Sequence, residues 1–260
     1  MKNHKLTLNP SLKKRGTFRK PQKRRVLPLL FSREGVGDEF LFLTLNFNTA
    51  SKTDGIFFIM KKKLKVAITG GIGSGKSSVC EIINSKGYPV IYADDISKEI
   101  LSTDKLIQQK VKTTFGVEAF IDNKPNTKFL ADKVFSDPQK VKKINSILHP
   151  PTIEKIKKLM EEKLSNSEMV FIEAALIYEA KMEDMFDYII VVAAPEEIRI
   201  SRTIESKGID RSETIKRIKN QMPEEKKKKL ADFVIENDGT IDHLKIKTNF
   251  ILSILSSIKQ

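Results

Sequence analysis

The chain has 260 residues and a mass of 29.6 kDa, enough for one substantial domain with a sizeable core. Hydrophobic residues make up 40% and charged residues 31%, and no apolar run approaches the roughly 18 residues that span a bilayer, so no transmembrane helix is expected. A single cysteine, Cys80, excludes an internal disulfide and a multi-cysteine zinc site, fits a reducing cytoplasm, and reads as a small apolar residue on the inner face of a helix.

The net charge of +14 suggests nucleic acid, but its distribution argues otherwise. Residues 1–59 hold 12 Lys or Arg against 4 Asp or Glu, a net of +8, whereas the other 201 residues hold 35 against 29, a net of +6. The first quarter also differs in kind. From Met1 to Arg33 there is no acidic residue, and Pro10, Pro21 and Pro28 interrupt any helix. Little fixed structure is expected over 1–59. Three readings compete: an acid-poor transit peptide, a basic arm for nucleic acid, or upstream sequence included by a misplaced start codon. The third is preferred, because Met60 stands directly before K-K-K-L-K-V-A-I-T-G.

From Leu64 the pattern is regular. A β-rich run over Leu64 to Thr69 meets a glycine-rich loop, a helix follows and stops at Gly87, and a second short strand spans Pro89 to Tyr92. Further strands are expected at Met169 to Glu173, Tyr188 to Ala193 and Phe233 to Glu236, with charge-laced helices between them. Such alternation predicts an α/β protein with a parallel sheet covered on both faces. Lys226 to Lys229 reads as a solvated helix face.

Gly70 to Ser77 matches G-x-x-x-x-G-K-[ST], the phosphate loop, placed after a strand and before a helix. Four of the chain's 12 glycines, Gly70, Gly71, Gly73 and Gly75, fall within six positions. Without Cβ atoms, such a loop turns its N–H groups inward around a phosphate at the positive end of a helix. Lys76 would reach the β- and γ-phosphates, and the Ser77 hydroxyl would take a place on Mg²⁺. A nucleoside triphosphate is therefore the expected ligand. The nearest string to the GTPase base-reading motif, Asn123-Lys124-Pro125-Asn126, ends in Asn instead of Asp. A motor or large ATPase would need more chain, which leaves a small kinase. In Y-A-D-D-I-S-K-E-I, Asp94 and Asp95 follow the second strand, where ligands sit in a parallel sheet. An acid there could take the acceptor's proton, or could simply cap a helix.

The assembled motifs resemble the dephospho-CoA kinase family from about Lys65 to the C-terminal helix. T-G-G-I-G-S-G-K-S (Thr69 to Ser77) is narrower than the general phosphate loop. Tyr92-Ala93-Asp94 is similar to the family's D-A-D, with Asp94 matching the family's catalytic base and Tyr92 replacing the first acid. Leu148-His149-Pro150 resembles the family's L-H-P before a long helix, whose histidine is associated with the acceptor pocket; without the resemblance, His149 would be read as a helix-start residue. Glu173 to Glu179, E-A-A-L-I-Y-E, stands where the family commonly reads D-x-P-L-L-F-E, with Glu173 for Asp and Ala175 for Pro. Pro195 to Arg202 is similar to the approach to a lid, Arg202 matching its usual arginine and Ser206, beside Lys207, standing where a second is frequent. Arg211 and Arg217 add positive charge, Arg211 reading equally well as part of a solvent-facing basic helix. Ala231 to Thr240 resembles A-D-x-V-I-x-N-x-G, which places Asn237 near the adenine side of the nucleotide.

The resemblance implies a P-loop NTPase three-layer fold with a five-stranded parallel sheet, a helical acceptor-binding insertion near 98–168 and a lid near 199–225, all within a kinase domain over 60–260. It implies a reaction moving the γ-phosphoryl of ATP to the ribose 3′-hydroxyl of dephospho-CoA, with Mg²⁺, in the last step of coenzyme A biosynthesis. The implied catalytic residues are Asp94, Lys76 and Arg202. Gly71, Gly73, Ser74, Gly75, Lys76, Ser77, Ser78 and Asn237 would bind the nucleotide, Ser77 the metal, and Asp94 with His149 the acceptor. The expected partner is the small-molecule acceptor, with no nucleic acid and no membrane, and a monomer is favoured. Two alternatives stand beside it: another small-molecule P-loop kinase acting on a nucleoside or nucleotide, and a nucleic-acid-binding protein using its basic arm.

Overall fold

A computed structural model describes residues 62–135 and 137–258; the readings made for residues 1–59 lie outside the described residues. Five strands, β1 (Leu64–Thr69), β2 (Val90–Tyr92), β5 (Met169–Glu173), β6 (Tyr188–Ala193) and β7 (Phe233–Glu236), form one parallel sheet in the order β2-β5-β1-β6-β7. Their bounds agree with the expected runs, β2 starting one residue later. β1 is buried on both faces because its alternate side chains feed two cores: Val66 and Ile68 face one, Ala67 the other.

The first core is closed by α1 (Lys76–Ser85) and α9 (Ile241–Ile258), which carry Val79, Ile83, Ile251 and Leu255 inward. α1 stops as expected: Gly87 has φ +83°, and its N–H bonds the Asn84 carbonyl at 2.9 Å. Cys80 is buried on the inner face of α1, where burial pushes its thiol up and keeps it protonated.

The second core is covered by α2 (Ala93–Thr103), α3 (Lys105–Phe115), α4 (Thr127–Phe135) and α5 (Pro138–Asn166). Asp104 caps α3, accepting from the N–H groups of Leu106 and Ile107, and Asp137 caps α5, accepting from Gln139 N, with Pro138 in the first turn. A hairpin of β3 (Phe120–Ile121) and β4 (Lys124–Pro125), absent from the expectations, turns through Asp122 and Asn123, both at positive φ. Asn and Asp tolerate that backbone and favour such two-residue turns. The string Asn123-Lys124-Pro125-Asn126 is thus partly hairpin. After β6 come α6 (Glu196–Lys207), α7 (Arg211–Lys219) and α8 (Glu224–Leu230).

The candidate site residues stand at the carboxyl ends of the strands: Gly70 after β1, Asp94 after β2, Glu173 closing β5 and Asn237 after β7. That is where an open parallel sheet holds its ligand.

Candidate active site

The phosphate loop is wrapped by protein as well as shaped for phosphate. Gly73 and Gly75 have φ of +74° and +93°, and a Cβ on Gly73 would lie 2.2 Å from the Arg199 carbonyl oxygen. A Cβ on Gly75 would lie 2.1 Å from Asn237 Nδ2, and one on Gly71 1.9 Å from Arg199 Nη1. The loop glycines therefore answer to two demands, close approach of phosphate and close packing against α6 and the β7 turn. Asn237 is buried; its Nδ2 donates to the Ser74 carbonyl at 2.9 Å, and its own carbonyl accepts from Arg202 Nη1 at 3.1 Å. Ser74, Gly75, Asn237 and Arg202 thus form one cluster on the β7 side of the loop. Gly75 caps α1, so Lys76, Ser77 and Ser78 supply its first turn and the positive end of its dipole.

Lys76 and Glu173 join the two halves of the site. Lys76 Nζ folds over the loop, donating to the carbonyls of Gly70 and Gly71 at 3.2 Å each, and stands 3.7 Å from Glu173 Oε1. Burial raises the Glu173 pKa above the usual carboxylate range; Lys76 opposes that rise and Asp94 adds to it. Asp94 therefore lies within electrostatic reach of the Glu173–Lys76 pair. Asp94 is exposed at the second position of α2, whose N-cap is Tyr92, a residue making no side-chain cap bond. Capping does not account for Asp94, while Asp95 pairs with Lys98 at 2.9 Å in the open. Lys207, in the last turn of α6, has its pKa lowered by burial and by Lys76 and Arg217, against an upward pull from Asp94 and Glu173. Its ammonium faces the same charges.

Asp94 and His149, far apart in sequence, line one cavity of about 120 Å³. Ser97, Asn145 and Thr152 add polar groups to its wall, and Leu148, Ile156, Leu176 and Met182 an apolar side. His149 is half-buried, and burial lowers its pKa despite the nearby Glu179, which favours the neutral imidazole at pH 7. The expectation of a helix starting after His149 is corrected. α5 runs unbroken from Pro138 to Asn166, with Leu148, His149, Pro150 and Pro151 in its interior. Neither proline can donate to the carbonyl four residues before it, so the helix loses two bonds here and persists on the packing of Ile156, Met160 and Leu164 below.

The segment after β6 is tied down more firmly than a sequence of basic helices suggests. Arg199, expected only as part of the approach to a lid, is buried and pairs with Glu224 at 3.3 Å. Gln221 Oε1 accepts from Ile72 N of the phosphate loop at 3.0 Å. Its neighbour Met222 donates its N–H to Glu179 Oε1 at 2.8 Å. Lys226 to Lys229 is corrected as a wholly solvated face: Lys227 is fully buried, and its Nζ donates to Ala175 O at 2.8 Å and pairs with Glu179 at 3.0 Å. A lysine can be buried when carbonyl and carboxylate oxygens meet its ammonium. Burial still lowers its pKa. Arg211 is exposed and bidentate to Glu197, and Arg217 pairs with Glu213 one turn back.

The sequence model of the dephospho-CoA kinase family matches residues 64–243. The chain belongs to the dephospho-CoA kinase family. A dephospho-CoA kinase of Carboxydothermus hydrogenoformans is 38% identical over 196 residues, 75% of this chain and 94% of the relative. One from Fusobacterium nucleatum is 36% identical over 69% of this chain and 92% of its own length. Among solved structures, a protein of Thermus thermophilus at 34% identity superposes with a TM-score of 0.62, covering 75% of this chain and 99% of its own. The dephospho-CoA kinase of Campylobacter jejuni, at 26% identity, gives 0.58 over 75% and 98%. The family's five-stranded α/β kinase fold is the one described above.

Three residues of the site carried no role in the sequence reading. Glu173 was legible as an acid closing a strand beside the loop strand. Gln221 and Lys227 gave no signal, since one amide in the turn between two basic helices and one lysine in a run of four are distinguished only by what they touch.

Proposed function

We propose that this family member transfers the γ-phosphoryl group of ATP to the ribose 3′-hydroxyl of dephospho-CoA, giving CoA and ADP. The observation that carries the reading is the shared cavity: Asp94 and His149 face one space, and Asp94 is within electrostatic reach of Lys76 and Glu173 at the phosphate loop.

Lys76 leaves the Gly70 and Gly71 carbonyls to meet the phosphates, while the loop amides and the α1 dipole hold them. The acceptor oxygen bonds to the γ-phosphorus as its proton passes to Asp94, and the bond from that phosphorus to the bridging β-phosphate oxygen breaks. Arg202 offers positive charge from α6, and Asn237 acts through its hold on Ser74. Neutral His149 orients the acceptor by hydrogen bonding. The residues fit Mg²⁺: the exposed Ser77 hydroxyl and the Glu173 carboxylate supply hard oxygen donors, and this ion takes few protein ligands alongside substrate phosphates. Bound there, Mg²⁺ would neutralise charge on the β- and γ-phosphates.

The proposed kinase domain spans 60–260, with the acceptor-binding insertion near 98–168 and the lid near 199–225. Among the described residues no helix is long and apolar enough to cross a membrane, and a monomer in the cytoplasm is the setting we assign. The test is a coupled ADP-release assay on the full chain with ATP and Mg²⁺, offering dephospho-CoA, adenosine, AMP and shikimate in parallel. Turnover confined to dephospho-CoA and dependent on Mg²⁺ is expected. Preference for a different acceptor would discard the reading.

A further inference from the structure

Buried hydroxyls on helices normally find a carbonyl one turn back. Three buried helical threonines here do so: Thr203 donates to Arg199 O at 2.7 Å, Thr214 to Asp210 O at 2.9 Å and Thr248 to Leu244 O at 2.8 Å. Thr152 differs. It is 7% exposed, its Oγ1 is buried without a hydrogen-bond partner, and it lines the cavity that holds Asp94 and His149. It follows Pro150 and Pro151, where the helix has lost its regular bonding.

A hydroxyl buried without a partner is costly to the free protein, and an apolar residue of the same shape, valine, would remove that cost. Val would also suit the apolar side formed by Leu148, Ile153 and Ile156. Resting on the function proposed above, we infer that Thr152 is a specificity-determining residue whose hydroxyl is completed by the acceptor. With Ser97, Asn145 and His149 on the same wall and Asp94 at the reacting hydroxyl, the group it meets belongs to the nucleoside end of the acceptor, a ribose hydroxyl or a base nitrogen. A site that hydrogen-bonds a substrate polar group discriminates strongly against molecules lacking it, because its own buried group is then left unpaired.

The test compares wild type, Thr152→Val and Thr152→Ser in the full chain, measuring KM for dephospho-CoA, KM for ATP and the melting temperature. Thr152→Val should raise the acceptor KM about tenfold and leave the ATP KM unchanged, with a melting temperature equal to or above that of wild type. Thr152→Ser should restore the acceptor KM to within about twofold, since it keeps the hydroxyl. An unchanged acceptor KM in Thr152→Val overturns the inference, as does an equal rise in both KM values. A lower melting temperature with unchanged acceptor KM would assign the hydroxyl to the fold. Wild type without turnover on dephospho-CoA would instead defeat the proposed function, an outcome read before either variant is compared.

Discussion

At the phosphate loop, Ile72 N, the Ser74 carbonyl and Lys76 Nζ each have a protein partner although the buried Ser74 hydroxyl has none, whereas the cavity of Asp94 and His149 sets the unpartnered Thr152 hydroxyl in a wall that is apolar on one side. The loop is also locked by atoms that leave no space for a Cβ at Gly71, Gly73 or Gly75. The two halves therefore differ chiefly in how tightly protein packs around them. A triphosphate needs a rigid shell of donors at fixed positions, and the protein builds that shell in advance. In the function proposed above, the acceptor brings its own polar groups and completes the wall it enters.

The largest effect is expected where the two halves of the site meet. Asp94→Ala should lower kcat by about 10³-fold while the melting temperature stays at the wild-type value, because Asp94 is exposed and caps nothing. A large drop in melting temperature would return Asp94 to a structural role. Next comes the buried pair behind the loop. Lys227→Ala should cost about 2 kcal/mol in denaturant unfolding by leaving the partly buried Glu179 carboxylate without its cation, and adding Glu179→Gln should recover much of that loss. Gly75→Ala should cost about 2 kcal/mol, since it combines a left-handed φ of +93° with a Cβ 2.1 Å from Asn237 Nδ2. Stability equal to wild type would mean that the loop is looser than its packing implies. Gln221→Ala removes a single hydrogen bond to Ile72 N and should raise the ATP KM about fivefold with little change for the acceptor.

The smallest effect is on pH dependence. Burial raises the native pKa of Glu173 above its ordinary 4.5, so the folded chain holds a proton that the unfolded chain has released. Between those two pKa values the folded state binds more protons, and its stability falls as pH rises. Glu173→Gln should flatten that part of the stability curve, measured by urea unfolding at several pH values. A slope as steep as wild type would assign it to a different group, such as Glu224, whose pKa burial also raises.

The sequence was most legible where short range decides. Five strands, the α1 stop at Gly87 and the phosphate loop follow from period, turn chemistry and spacing, and the structure returns them almost residue for residue. Leu148-His149-Pro150 misled because proline is a local helix breaker, yet α5 is held by side chains packed beyond the break. The Lys226–Lys229 run misled because charge predicts exposure only when no buried oxygens wait for the ammonium.

What this sequence determined by itself was the five strands of the main sheet, the glycine-rich loop and the acid that follows the second strand, since each depends on neighbours a few positions away. Only the tertiary structure decided that Asp94 and His149 share a cavity, that Glu173 stands beside Lys76, and that Gln221 and Lys227 brace the loop and the acceptor side. Those contacts join residues dozens of positions apart. They exist because the sheet brings the ends of its strands together, and no local pattern encodes which distant side chain will be waiting there.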